Sequence, residues 1–124
     1  MSSVATVRYL VHDVTAATAF YVDRLGFELI RAYGPAMAIV RRGDLSLWLA
    51  GPMASAARPM PDGRQPEPGG WNRIVVETDD LERLVSGLER AGVRFRNEIV
   101  TGPGGRQILC DDPTGNPVEL FQPA

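Results

Sequence analysis

A pattern of residue types near the start of the chain returns about 67 residues later. Thr6-Val7-Arg8-Tyr9-Leu10-Val11-His12-Asp13-Val14 and Arg73-Ile74-Val75-Val76-Glu77-Thr78-Asp79-Asp80-Leu81 are both β-forming runs that end in an acidic turn. Behind each comes an apolar stripe of helical period. Ala16, Ala17, Phe20, Tyr21 and Leu25 form the first stripe, with Asp13 or Thr15 able to cap it, and Leu81, Leu84, Val85, Leu88 and Ala91 form the second. Gly26 and Gly92 then stop the helices. A chain that repeats one supersecondary unit must stack two copies or pair them, and a cleft lined by both copies is the natural seat for a ligand.

Three strands follow each helix. In the first copy they are Phe27 to Ala32, Ala36 to Arg41 and Leu45 to Leu49, with Arg42-Gly43-Asp44 as a turn. In the second the expected strands are Arg94 to Asn97, Gln107 to Asp111 and Val118 to Phe121, with Thr101-Gly102-Pro103-Gly104-Gly105 read as a turn. The expected fold is therefore α+β, two tandem βαβββ modules at residues 4–50 and 71–122 within one domain. They are joined by the loop 51–70, whose five prolines argue against a regular element. A loop of about 20 residues is long for a compact domain, which suggests a linker that also serves as a lid.

The bulk numbers remove several functions. With 124 residues, a net charge of −2 and interspersed acids and bases, the chain has no basic field for nucleic acid or anionic lipid. No run approaches the roughly 20 apolar residues of a membrane span, and Met1-Ser2-Ser3-Val4 lacks the character of a signal peptide, so a cytoplasmic protein is expected. Cys110 is the only cysteine and sits in an apolar run, which reads as a small buried hydrophobe.

Chemistry concentrates in the closing hairpin, Ile108 to Phe121. Its turn, Asp112-Pro113-Thr114-Gly115-Asn116, is explained by Asx-turn chemistry rather than by paired acids. Glu119, between Val118 and Leu120, must face away from both, toward solvent or toward a pocket where it needs a partner. His12, the only histidine, falls in a turn and reads as solvent-exposed. Trp48, Trp71, Tyr33, Phe95 and Phe121 are candidate pocket walls, and Trp48 has the strand face best suited to it; Trp71 and Asn72 could hinge the loop.

Taken in order, Val11-His12-Asp13-Val14, Phe20-Tyr21, Leu25-Gly26-Phe27, Asp79-Asp80-Leu81, Ala91-Gly92-Val93 and Asp112-Pro113-Thr114-Gly115-Asn116-Pro117-Val118-Glu119-Leu120 resemble the glyoxalase I, bleomycin-resistance and extradiol-dioxygenase superfamily, the vicinal oxygen chelate fold. The resemblance spans nearly the whole chain. It implies curved mixed sheets around a cavity, commonly in a homodimer, and in the enzymes a divalent metal held by four side chains, one on the first and one on the last strand of each module. Carried over residue by residue, those positions fall on Thr6, on Ser46 or Trp48, on Arg73 and on Glu119, and only Glu119 keeps a ligand type. A guanidinium stays protonated and cannot coordinate, so Arg73 and Glu119 are expected to form an ion pair where a metal would otherwise stand.

The resulting expectation is a metal-independent protein without a cofactor that binds a small organic ligand through Thr6, Arg8, Trp48, Arg73 and Glu119. Glu77, on the same strand face as Arg73, joins the cavity or its rim. The first alternative is a lyase, isomerase or dioxygenase using Glu119 as base, with one divalent metal completed by a second subunit or by water. The second is a non-catalytic accessory or regulatory module.

Overall fold

The computed structural model describes residues 4–124; Met1 to Ser3, on which the signal-peptide reading partly rests, lie outside the described residues. Two compact units divide between Pro68 and Gly69, and each carries one copy of the repeat.

In the first unit, β1 (Ala5–Leu10) leads to α1 (Val14–Ala19), then to β2 (Glu28–Tyr33), β3 (Met37–Arg42) and β4 (Leu45–Ala50). The sheet order is β1-β4-β3-β2, with β1 parallel to β4 and the other pairs antiparallel. Asp13 is the cap that forms: its carboxylate accepts the Ala16 N–H at 3.1 Å. The helix does not run unbroken to its glycine. After Ala19 it widens into a π-helical turn, Phe20–Arg24, which leads the chain to Gly26 at φ +75°. Phe20, Tyr21 and Phe27 meet edge to face at 5.1 and 5.4 Å, and with Val14, Ala17, Ala38, Val40, Leu47 and Leu49 they make the buried core of this unit.

The second unit repeats the plan with β5 (Ile74–Glu77), α2 (Leu81–Arg90), β6 (Val100–Gly102), β7 (Gly105–Asp111) and β8 (Pro117–Pro123), ordered β5-β8-β7-β6. Again the first and last strands pair in parallel. Asp80 caps α2 through the Arg83 N–H, while the first helical N–H, that of Leu81, donates to the Gln122 side chain at 2.8 Å. Leu81, Val85 and Leu88 turn inward with Ile74, Val76, Ile108, Cys110, Val118 and Leu120. Cys110 is fully buried, and that burial, with Asp111 and Asp112 adding to it, pushes its thiol up to about 12.

Three expectations need correction. Arg94 to Asn97 is not a strand: only Phe95 makes a bridge, to Cys110, and the first strand after the helix is Val100–Gly102. The side chains of Arg96 and Asn97 instead brace neighbouring backbone, Asn97 by accepting the Leu109 N–H at 2.9 Å. The turn read over Thr101 to Gly105 shrinks to Pro103-Gly104, because Gly102 and Gly105 are themselves paired strand residues. Gly105 is confined to glycine, since a Cβ at its φ of +147° would collide with the Gln122 carbonyl. The loop 51–70 does hold one regular turn, a 3₁₀ turn at Ser55–Ala57, which fits between its prolines because it needs only three residues.

Candidate functional site

Strand alternation gives each sheet one face on its helix and one face that the helix does not cover. In the first unit Val7, Tyr9, Val40, Leu47 and Leu49 point to the helix side, so their neighbours share the open face. Register lines those neighbours up across the strands: Thr6 beside Ser46, which pairs with Arg41, and Arg8 beside Trp48, which pairs with Ile39, which pairs with Arg31. The Arg8 guanidinium lies over the Trp48 ring at 5.0 Å, and Arg31 lies over Tyr33 at the same distance.

In the second unit the open face carries Val75 and Glu77 on β5, Glu119 and Phe121 on β8, and Gln107 and Leu109 on β7. Glu119 is buried, and Arg73, two residues before Val75, reaches it from the entry of β5. Arg73 Nη2 and Nε both donate to Glu119 Oε1, at 2.9 and 3.1 Å, and Nη1 donates to the Trp71 carbonyl at 3.2 Å. The two side chains keep 29% and 12% of their exposure, so the pair is largely withdrawn from water and is stronger than a surface ion pair.

Register also settles which residue of the first unit corresponds to Glu119. Val7 pairs with Leu47 as Ile74 pairs with Val118, so on the next rung the pair Arg8 and Trp48 corresponds to the pair Val75 and Glu119. Trp48, not Ser46, stands at the Glu119 position.

Segment 69–73 is fastened by contacts that the residue types alone did not reveal. Arg96 donates to Asp111 at 2.7 Å, to the Gly70 carbonyl at 2.6 Å and to the Gly115 carbonyl at 3.0 Å, while its guanidinium covers the Trp71 ring at 4.7 Å. Gly69 N–H donates to Asn116, whose own amide and N–H are held by Asp112, the residue that also accepts the Thr114 N–H. Asp112 is therefore the Asx-turn residue expected of it, whereas Asp111 is the counter-ion of Arg96. Trp71 is exposed and Phe95 half-buried on the bridge to Cys110, so of the five aromatic candidates Trp48, Tyr33 and Phe121 reach an open face. Arg31 and Arg41 on the first open face also escaped notice. A bulge between Leu29 and Arg31 shifts the alternation of β2, and no run of residue types marks such a bulge in advance. His12 is exposed.

A divalent ion does not fit the four positions. Thr6 offers one neutral hydroxyl, Trp48 offers no donor, Arg73 is a cation, and the remaining carboxylate already accepts two hydrogen bonds from that cation. Among the described residues no three His, Cys, Asp or Glu side chains come together as a metal-binding group.

The chain belongs to the glyoxalase/bleomycin resistance protein/dioxygenase superfamily, whose family model matches residues 3–120. It is 27% identical to the uncharacterized protein YwkD of Bacillus subtilis, the match covering 98% of each protein. A crystal structure of a superfamily member from Sphaerobacter thermophilus superposes with a TM-score of 0.76 at 29% identity, covering 98% of both chains. That of TnmS3, an antibiotic binding protein from Streptomyces, does so with a TM-score of 0.73 at 28% identity, covering 100% of this chain and 98% of the other. These matches bear out the resemblance and the α+β fold of two βαβββ modules. Among the described residues no helix is long and apolar enough to cross a membrane.

Proposed function

We propose that this protein is a metal-independent small-molecule-binding protein of the glyoxalase and bleomycin-resistance type, cytoplasmic and homodimeric, with modules 4–50 and 71–122 forming a single domain. Its ligand, an organic molecule, lies in the cavity that the resemblance implies and touches Thr6, Arg8, Trp48, Arg73 and Glu119. The observation that carries this reading is the engagement of Glu119 Oε1 by two nitrogens of Arg73. A carboxylate oxygen engaged by two N–H donors of a cation is a poor metal ligand until the guanidinium leaves it. The similarity to TnmS3, an antibiotic binding protein, supports binding rather than turnover.

Protein purified without chelator is expected to carry substoichiometric zinc, nickel, iron and manganese by elemental analysis. One tightly held metal per chain would overturn the reading in favour of a metal-dependent lyase, isomerase or dioxygenase. Screening a library of aromatic and polar small molecules by thermal shift should give ligands whose stabilisation falls in Glu119→Gln while the variant stays folded. A reaction lost in that variant would favour the enzyme.

A further inference from the structure

The charges on the two open faces are not balanced alike. In the second unit the cation at the site is neutralised by Glu119. On the open face of the first unit, Arg8, Arg31 and Arg41 stand on three different strands, and Glu28, paired with Arg41 across the sheet, is the one carboxylate among the rungs that carry them. No carboxylate of the described residues forms an ion pair with Arg8 or Arg31; each of these guanidinium groups lies over an aromatic ring instead. Between Arg8 and Arg31 the rung is floored by Trp48 and Ile39, both half-buried, across three strand spacings or about 14 Å. A flat apolar floor with an unneutralised guanidinium at each end matches a planar apolar molecule that carries negative charge.

We infer that the ligand is a planar, ring-bearing anion, such as an aromatic carboxylate or sulfonate, whose ring lies on Trp48 and Ile39 and whose charged group is met by Arg8. This rests on the binding reading above and names the class of ligand for the same site. It also places the anion-binding group on Arg8 rather than on Arg73, whose charge is already neutralised by Glu119. Arg8 is suited to the task because its guanidinium lies over the Trp48 ring with no carboxylate of the described residues paired to it, and a guanidinium can bind a carboxylate in bidentate fashion. Arg31 and Arg41 lie farther along the face and contribute field rather than contact.

The test uses the full chain with 2-naphthoate and its neutral counterpart 2-naphthamide, titrated calorimetrically at low and high salt. Naphthoate should bind about tenfold tighter than naphthamide at low salt, with the advantage shrinking as salt rises. Arg8→Met should remove most of that advantage, read as the ratio of naphthoate to naphthamide affinity in the same variant, while Arg31→Met should reduce it about two- to threefold. Arg8→Lys, which keeps the charge but not the planar fork, should restore part of it. Circular dichroism and thermal unfolding of each variant establish that the fold is kept. Equal binding of the two probes, or a preference for naphthoate that survives Arg8→Met and falls in Arg73→Met instead, would overturn the anion assignment while leaving small-molecule binding intact. If neither probe binds, nor any member of the thermal-shift library, both readings fall together.

Discussion

The two modules are alike in strand order and unlike in what an arginine does at their corresponding rungs. On the second, Arg73 is locked to Glu119 by two hydrogen bonds to one carboxylate oxygen. On the first, the matching position holds Trp48, and Arg8 lies over its ring with no carboxylate of the described residues paired to it. One arginine closes a site and the other leaves one open. A repeat preserves places, while each copy is free to change the chemistry standing in them. The cost of breaking each copy should therefore differ.

The largest effect is expected at Gly105, a backbone constraint of the second module. Gly105→Ala puts a methyl group into the Gln122 carbonyl and within 3.0 Å of Pro123 Cα, in a backbone conformation that disfavours any side chain. It should cost about 3–5 kcal/mol by urea unfolding. The tightest glycine of the first module, Gly51, would bring its methyl to 2.7 Å from a Val14 methyl and 3.3 Å from the Pro35 and Ala36 carbonyls, but without the positive φ and the backbone clash of Gly105, so Gly51→Ala should cost less. Equal costs would show that the β7–β8 register can slide.

Next come the paired charges. Arg73→Met strands a buried carboxylate and should lose about 2–3 kcal/mol, whereas the double variant Arg73→Met/Glu119→Leu should recover most of that loss. Equilibrium unfolding of the four-member cycle yields the coupling, expected at about 1–3 kcal/mol. A coupling close to zero would make the pair a surface decoration and remove the contrast between the modules.

The third prediction concerns pH and belongs to the second module alone. Because burial raises the Cys110 thiol to about 12 from an ordinary 9.0, the folded chain keeps a proton that the unfolded chain gives up first. The stability tied to it is intact below pH 9 and is lost as pH rises from there toward 12. Going from about pH 8 to about pH 10 should lower unfolding stability by about 1 kcal/mol in the wild type and by less in Cys110→Ala. The same burial should make Cys110 inert to thiol reagents until the chain unfolds.

The smallest effect is expected on the first module. A double-mutant cycle of Arg8→Met with Trp48→Leu should report about 0.5–1 kcal/mol, the ordinary strength of an exposed cation over an indole. A value matching the Arg73–Glu119 coupling would mean that Arg8 is held as firmly by its ring as Arg73 is by its carboxylate, and the distinction drawn between open and closed sites would be lost.

Much of the fold was legible in the residues because both of its signals are local. Two periods, strand and helix, alternate in the same order twice, with Asp13, Asp80, Gly26 and Gly92 as punctuation. The Arg73–Glu119 pair was legible for a related reason: a strand carboxylate among apolar neighbours needs a partner, and the repeat supplied one. What stayed hidden depends on register. Whether Ser46 or Trp48 answers to Glu119 is a question of one residue's shift, which alternation cannot decide when neighbours on both faces are partly buried. The bulge ahead of Arg31 concealed a third arginine of the open face in the same way. Arg94 to Asn97 misled because Val93, Arg94, Phe95 and Arg96 alternate apolar and polar as a strand's residues would. The pairing with β7 stops at one rung, where the Arg96 N–H donates to the Leu109 carbonyl beside the Phe95 bridge, and the Arg96 side chain braces Gly70, Trp71 and Gly115.

The parallel pairing of first and last strands has a consequence for the order in which the protein is made. Each sheet is closed by the strand that leaves the ribosome last in its module, so neither module can bury its core until that strand has emerged. For the first module the closing strand ends at Ala50. The whole of the loop 51–70 then separates its completion from the first strand of the second, a pause of about one to several seconds at about 5–20 residues per second. A first module that folds as it emerges would have β1 paired with β4 in that interval, so the incoming β5, whose residue types imitate those of β1, would find the place it could wrongly take already filled.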